Sequence, residues 1–557
     1  MKKSLLRLGA FAVLLASFAS CQKLGPLEPE YFTVNPNPLE VKAGKVEGTI
    51  TATFPEKYFA EKATIEVTPV LKYEGGEATS EPAFYQGTKV DGNDTEIQYK
   101  AGGTVTQNFS FDYVPAMKQS TLWLRFKATL KDKPVDIPEI QIAVGCIATS
   151  TLADASKIAP AYAKDAFVRD TKEVTEADIM FQIQRSDVKG NDDVKALNAA
   201  AAAVDKDEKL SIEGLTLVAA ASPDGDEALN EKLASARQNN TVNFLKKQKN
   251  QTAVDAKYIA EDWDGFQKLV QESSVKDKDL ILRVLGTYQD AEQREKEIKN
   301  LSAAYKELAD EILPKLRRSH LTLTVIRAGL TDEELLEIAK NNPDSLNVEQ
   351  LMYAASISKS KEEADAMTAA NAQQNPEDWR TQNNLGASKF EGANVADAKT
   401  SLDAAIEKGG AEASEPNFNL ALISLVNGDA KSAEGYLGKV QGVENKADAQ
   451  TVMYIQQGEY GKAVAASGAV TSNNAALAQL LVGNNDKAAD ILDKVESKDA
   501  TTYYLAAIAA TRQGNADKAV ESLAKSIELD AAKKDEAKKD LEFLQLLASP
   551  KFVELMK

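Results

Sequence analysis

The sequence predicts a multidomain chain with an N-terminal β-sandwich, a central α+β domain and a C-terminal α-helical solenoid. Three observations carry this. Apolar and polar residues alternate between about residues 40 and 150, the period of half-buried strands. Strand and helix patterns interleave from about 155 to 330. From 331 onward the spacing is helical and a small-residue motif recurs. The 557 residues suffice for several domains of about 100–200 residues each.

Composition narrows the function. Hydrophobic residues make up 43 % of the chain and charged residues 27 %, enough for several cores. A net charge of −18 leaves no basic footprint for phosphates, so no nucleic-acid partner is expected. The one histidine, His320, excludes a multi-histidine metal site and leaves one candidate for any Ser-His-Asp or Cys-His mechanism. The two cysteines, Cys21 and Cys146, form no CxxC, which excludes zinc ribbons and thioredoxin-type redox sites. No metal or cofactor is expected, and the chain is read as non-enzymatic. An enzyme would need convergent carboxylates that the linear sequence hides.

Residues 1–20 read as a signal peptide: Lys2, Lys3 and Arg7 precede an apolar run, Leu8 to Ala19. That run is too short for a bilayer, which needs about 20 residues. The junction Phe18-Ala19-Ser20-Cys21 resembles the bacterial lipobox, with Phe18 where Leu is usual. The resemblance implies that Cys21 carries acyl chains such as palmitate and becomes the first mature residue, a membrane anchor. An ordinary signal peptide with an incidental cysteine is the plainer alternative. Residues 21–40 read as a tether, kept extended by Pro26, Pro29, Pro36 and Pro38.

Residues 41–150 read as an immunoglobulin-like sandwich. Gly48–Phe54, Ala63–Thr68 and Thr121–Phe126 are β-branched or alternating, and Gly75-Gly76, Asp91–Asp94 and Gly102-Gly103 are turn signals. Cys146, inside Ala143–Ala148, reads as a buried strand-end thiol. In the 155–330 domain, Ile179–Ile183, Leu210–Val218 and Leu321–Ile326 read as strands. Asp192–Val204 and a stretch from 227 to 247 read as helices, the second entered through Ser222-Pro223-Asp224-Gly225-Asp226.

In the 331–557 region a small residue on one helix precedes Ala and an apolar residue on the next. The instances are Gly386/Ala398/Leu402, Ala421/Ala433/Leu437, Ala476/Ala488/Leu492 and Ala507/Ala519/Leu523. In each, 12 residues separate the first two and 4 the last two. Ala463 fits a degenerate middle repeat, Gly392, Gly428, Gly458, Gly483 and Gly514 mark the turns, and residues 535–556 read as a cap. Small residues let helices approach, and each pair buries its apolar face on the next. This pattern, best in Trp379, Leu385, Gly386, Ala398, Leu402 and Ala405, resembles tetratricopeptide repeats. The resemblance implies a scaffold that recruits a protein partner on its concave face and has no chemistry of its own.

The central domain carries Ala219-Ala220-Ala221-Ser222-Pro223-Asp224-Gly225, then Asn230, Leu233, Arg237, Val242 and Leu245. With Glu261-Asp262-Trp263, Arg294-Glu295 and Leu316-Arg317-Arg318, it resembles the OmpA-like domain of Gram-negative envelopes, in its Bacteroidota form. Family members bind the stem peptide of peptidoglycan. A loop Asp meets the diaminopimelate ammonium and a helix Arg its carboxylate, as a zwitterion requires. The family's Asp position is Ser222 here, and the Arg is kept as Arg237. The resemblance therefore implies a site of Ser222, Asp224, Asn230, Arg237, Arg317 and Arg318. Losing the loop charge costs about 1.5–3 kcal/mol, which favours the alternative of an assembly scaffold that does not bind cell wall.

Each residue also has a plainer reading. Arg237 would be a surface arginine pairing with Asp226 or Glu231, and Asp224 a turn residue capping the next helix. Arg317 and Arg318 would be exposed strand-end arginines, His320 structural, and Glu261-Asp262-Trp263 a helix cap. Residues 331–557 hold 23 basic and 36 acidic residues, a solvated face or one for a basic partner. Asp344-Ser345-Leu346 resembles a Bacteroidota O-glycosylation acceptor. Gln22–Pro26 lacks the acidic run that directs such lipoproteins to the cell surface. The expectation is an outer-membrane lipoprotein facing the periplasm, with the cell-surface orientation left open.

Overall fold

The computed structural model describes Leu24 and residues 27–189, 191–248 and 252–557. The leader 1–20 and the lipidation candidate Cys21 lie outside the described residues. The chain forms two compact units, one from Met1–Lys164 with Thr368–Lys557, the other from Asp165–Met367.

The first unit begins with strands β1 (Phe32–Asn35), β2 (Leu39–Lys42), β3 (Lys45–Phe54), β4 (Ala63–Tyr73), β5 (Gly76–Thr79) and β6 (Ala83–Gly87). They continue as β7 (Thr95–Ile97), β8 (Gly103–Asp112), β9 (Ser120–Leu130), β10 (Lys133–Val135), β11 (Ile140–Val144) and β12 (Cys146–Ile147). One sheet runs β1-β3-β2-β12 with β8 on β3; the other runs β10-β9-β4-β6-β7 with β11 on β9 and β5 on β4. Alternation sets the inward face: Leu122, Leu124, Phe126 and Ala128 of β9 are buried. They share one core with Ile65 and Val67 of β4 and with Ile50, Phe54, Phe109 and Phe111 of the other sheet. The pairs β2–β12 and β6–β7 are parallel, where alternation predicts an antiparallel sandwich. Direction is set by the chain's path between strands, which a period-two pattern does not encode. Cys146 is buried, and its thiol donates to the Met117 carbonyl at 3.0 Å.

The helices of this unit form five antiparallel pairs. They are Trp379–Glu391 with Val395–Glu407, Ser414–Val426 with Ala430–Leu437, Lys446–Gln456 with Tyr460–Ser467, Asn473–Leu481 with Asn485–Lys494, and Ala500–Arg512 with Ala516–Leu529. Helices Ala532–Lys539 and Pro550–Leu555 and a 3₁₀ segment, Leu541–Ala548, close the end. The repeat alanines and leucines are at most 2 % exposed, so the small-residue motif is the packing seam. At Gly386 a Cβ would lie 2.6 Å from Leu402 Cγ, so that helix approach requires glycine. Gly428, Gly458, Gly483 and Gly514 take the left-handed conformation at the turns. In the first pair Ala393 takes it, at φ 58°, in place of Gly392. The sandwich meets the array's end through Lys118 and Glu536 at 3.1 Å and through the buried Glu542, bonded by Arg512 and Thr149.

The second unit holds a four-stranded sheet of β13 (Thr171–Met180), β14 (Leu210–Ala220), β15 (Val254–Ile259) and β16 (Arg318–Arg327) in the order β13-β16-β14-β15. Only β14–β15 is parallel among its pairs. Helices Asp192–Val204 and Glu227–Lys247 cover one face, with Val194, Leu197 and Leu245 against Leu215, Leu217, Leu321 and Leu323. β13 runs Thr171–Met180 instead of the predicted Ile179–Ile183. Its first residues are mostly polar and exposed, so they carry no apolar signal, and pairing along β16 makes them strand. A helical segment with its own core, including Phe266, Val270, Ile281 and Leu316, lies between β15 and β16.

This unit continues past residue 330, where the sequence places the start of the repeats. Helices Asp332–Asn341 and Val348–Ile357 belong to it. The Phe167 ring packs, tilted by 34°, against Tyr353 at 4.8 Å, Arg169 bonds Asp332 and Tyr353, and Glu349 accepts from the Ala166 N–H. These partners are over 160 residues away in sequence, outside the reach of a repeat pattern.

Candidate functional site

β14 ends at Ala220 and a loop leads to helix Glu227–Lys247, which Asp226 caps through the Leu229 N–H. The Ser222 hydroxyl donates to Asp224 Oδ1 at 2.5 Å. Arg317 closes over both, its Nε on Ser222 Oγ at 3.0 Å and a terminal nitrogen on Asp224 Oδ2 at 2.9 Å. Asn230 Nδ2 ties the loop down through the carbonyls of Ser222 and Gly225 and through Glu261 Oε1. Glu261 also accepts from the Trp263 indole, and burial raises its carboxyl. So Ser222, Asp224, Asn230 and Arg317 come together.

Arg237 lies beside them but is 1 % exposed, not the surface arginine of the plainer reading. Its Nε, Nη1 and Nη2 point at the carbonyls of Arg185, Ala220 and Gln182, at 3.0, 2.7 and 3.5 Å. Its guanidinium sits 4.9 Å from the Phe181 ring. Burial, with the like charge of Arg317, pulls its pKa down to about 10. The fork that would meet a ligand carboxylate is spent on backbone carbonyls.

Arg318 is not at this site. Neighbours on a strand face opposite ways. Arg318 and His320 lie on one face of β16, both against Asp178, at 3.4 and 2.8 Å. Ser319 faces the helix and accepts from Thr241. Arg317 is 12 % exposed in its side chain, so it is not a solvated strand-end arginine. Asp224 is Arg317's partner, while the helix cap is Asp226. A zwitterionic ligand would need a free acceptor and a free fork, and here each already has an internal partner.

A second site lies on the helical array, unforeseen from the sequence. The chain's own residues 153–164 lie along it, held by asparagines. Asn419 accepts from the Ala161 N–H at 2.7 Å and donates to the Ala161 carbonyl at 2.8 Å. Asn384 does the same for Ala163, at 2.7 and 3.0 Å, and Asn474 for Asp154, at 3.0 and 3.1 Å. Asn383 adds a bond to the Ala161 carbonyl and Asn445 one to Ala159. One amide side chain thus satisfies both main-chain groups of one residue, as a strand neighbour would. Ala155 and Ile158 of the segment enter the array's core with Phe390 and Phe418. Asp448 supports the ladder, accepting from Ser472 and Asn474, and burial raises its carboxyl. The signal was present: Asn384, Asn419 and Asn474 each stand two residues before a motif residue, Gly386, Ala421 and Ala476.

Among the described residues no group of His, Cys, Asp and Glu could hold a metal ion, and no helix is long and apolar enough to cross a membrane. No family model and no curated protein matches the chain. Solved structures that the chain matches include a tetratricopeptide repeat protein from Parabacteroides merdae (TM-score 0.30, 14 % identity, 38 % of this chain and 91 % of that one). Others are the Cut9–Hcn1 hetero-tetramer of APC/C (0.30, 11 %, 59 % and 68 %) and yeast Tom70 (0.26, 11 %, 59 % and 77 %). Likenesses this slight carry no argument about partner or activity. The C-terminal region is a solenoid of tetratricopeptide-like helix pairs on its own packing, with the seam residues named above.

Proposed function

We propose that the chain is a non-enzymatic scaffold of the bacterial envelope, anchored in the outer membrane through acylated Cys21 and facing the periplasm. The basic-then-apolar leader and the lipobox-like junction support the anchor and the compartment. The observation that carries the scaffold reading is the asparagine ladder. It holds residues 153–164 of the same chain by their main-chain groups, a form of contact with no reactive group, and this supports a binding rather than a catalytic role for the array. The chain's own segment occupies that stretch, so a protein partner meets another surface of the array or displaces the segment. The test is photo-crosslinking in cells from exposed array positions such as Lys399, Lys431 and Lys487. Crosslinks to another envelope polypeptide support the reading. Crosslinks confined to this chain from every position refute it.

A second reading, a link to peptidoglycan, draws on the sequence resemblance to OmpA-like domains and on the gathering of Ser222, Asp224, Asn230 and Arg317 at a helix N-terminus. The closed Arg317–Asp224 pair and the spent Arg237 weigh against it. Co-sedimentation of the full chain with purified sacculi decides between them. Retention in the pellet would establish the wall link, and a folded chain left in the supernatant would remove it.

A further inference from the structure

The closing segments of the array and the strand ends of the sandwich enclose a groove of about 910 Å³. Its floor is apolar, from Phe543 and Phe552 to Met556. Four of its lining side chains are large, hydrophobic and half in solvent: Val144 at 48 %, Leu544 at 52 %, Leu547 at 43 % and Val553 at 45 %. Single exposed apolar residues need no explanation, but four converging on one concavity mark a binding site.

The rim decides what fits. Lys72, Lys118, Lys538, Lys539 and Lys557 line the groove, in a chain whose net charge is −18. Lys72 and Lys118 are neutralised by Glu139 and Glu536. Lys538 lies 3.8 Å from Asp535, and Lys557 pairs with Glu554 where both are largely exposed. Such pairs exchange readily with an incoming anion. Lys539 makes no ion pair among the described residues. The one acidic side chain in the lining, Asp540, is occupied by the Tyr504 hydroxyl at 2.8 Å, and burial raises its pKa. The groove therefore presents an apolar trough with Lys539 as the cationic group at its edge that no carboxylate pairs, beside four lysines held in ion pairs. Its volume falls in the range of small-molecule sites, about 300–1,000 Å³. A docked protein needs a broad surface, about 800 Å² per partner.

We propose that this groove binds a free long-chain fatty acid. The acyl chain lies against Val144, Leu544, Leu547 and Val553, and the carboxylate meets Lys539 with Lys538 and Lys557. No covalent step is involved. The groove lies in the same compact unit as the ladder, but none of the ladder residues lines it.

The test titrates the full chain with cis-parinaric acid, a fluorescent fatty acid, and displaces it with palmitate or with hexadecanol. Saturable binding at one site, reversed by palmitate and much less by the uncharged alcohol, is expected. Lys539→Glu should weaken binding about tenfold. Leu544→Asp should abolish it, and so should Val144→Trp, which fills the trough from an exposed position. Each variant's melting temperature, expected to match the parent, separates loss of the site from loss of the fold. No saturable binding by the parent, or undiminished binding by Leu544→Asp, overturns the proposal. Equal displacement by hexadecanol overturns the carboxylate assignment. Self-association of the chain that Leu544→Asp abolishes makes a second copy the occupant instead of a fatty acid.

Discussion

Replacing Asn419 by alanine removes three hydrogen bonds from a side chain that is 1 % exposed. Two go to Ala161, and the third, at 3.0 Å, to Asn383 Oδ1. The Ala161 carbonyl keeps Asn383, but the Ala161 N–H loses its partner. A net bond is worth about 0.5–1.5 kcal/mol and an orphaned buried donor costs about 1–3 kcal/mol, so about 2 kcal/mol is lost locally. That free energy raises the population of the released segment about thirtyfold. Trypsin reads it, because Lys157 and Lys164 are exposed and their scissile bonds need the backbone free of the ladder. When reclosing outpaces cleavage, the rate follows the open population. Cleavage after Lys157 and Lys164, followed by mass spectrometry, should accelerate about thirtyfold in Asn419→Ala. Asn417→Ala is the control: it sits one half-turn away and bonds only the carbonyls of Ala411 and Ala413. Unchanged cleavage at both lysines in Asn419→Ala, or equal acceleration in the control, would refute the clamp.

Three further outcomes are expected. Arg237→Ala removes three bonds to main-chain carbonyls, of which that of Gln182 keeps a second donor, the Arg185 N–H, and leaves a void beside Phe181, so it should cost the Asp165–Met367 unit about 3 kcal/mol in urea unfolding; a wall-binding role would instead leave stability intact and cut sacculus binding. Burial raises the Asp448 carboxyl, so the folded chain holds that proton more tightly than the unfolded chain. Its contribution is therefore full below the unfolded carboxylate pKa and is lost as pH rises through the raised folded value. Urea midpoints of the parent should fall relative to Asp448→Asn over that window, and parallel curves would show no linkage. Burial pushes the Cys146 thiol up to about 12, so in a Cys21→Ser chain maleimide labelling at pH 8 should be slow when folded and fast in denaturant.

Patterns that repeat along the chain were legible in the sequence. The seam residues from Gly386 to Leu523 sit where their spacing puts them, because contacts within a helix pair are local. Helix Glu227–Lys247 and its entry loop were legible too, since a Ser-Pro-Asp-Gly run followed by a cap is a local signal. The site was read less well. Ser222, Asp224, Asn230 and Arg317 converge as the motif suggests, but Arg318 turns to the other face and Arg237 turns inward to three carbonyls. Strand register decides the first, and the position of the residues around Gln182 and Arg185 decides the second.

By itself the sequence determined the apolar periods, the small-residue seam and the buried character of Cys146. Each follows from residue type and short-range spacing. Only the tertiary structure decided that residues 153–164 fill the asparagine ladder, that Asp332–Ile357 belongs with the central sheet, and that Arg317 rather than Arg237 meets Asp224. Those pairings join residues roughly 90 to 320 positions apart. Hydrogen-bond satisfaction and burial in the finished fold select them, and no local pattern carries that information.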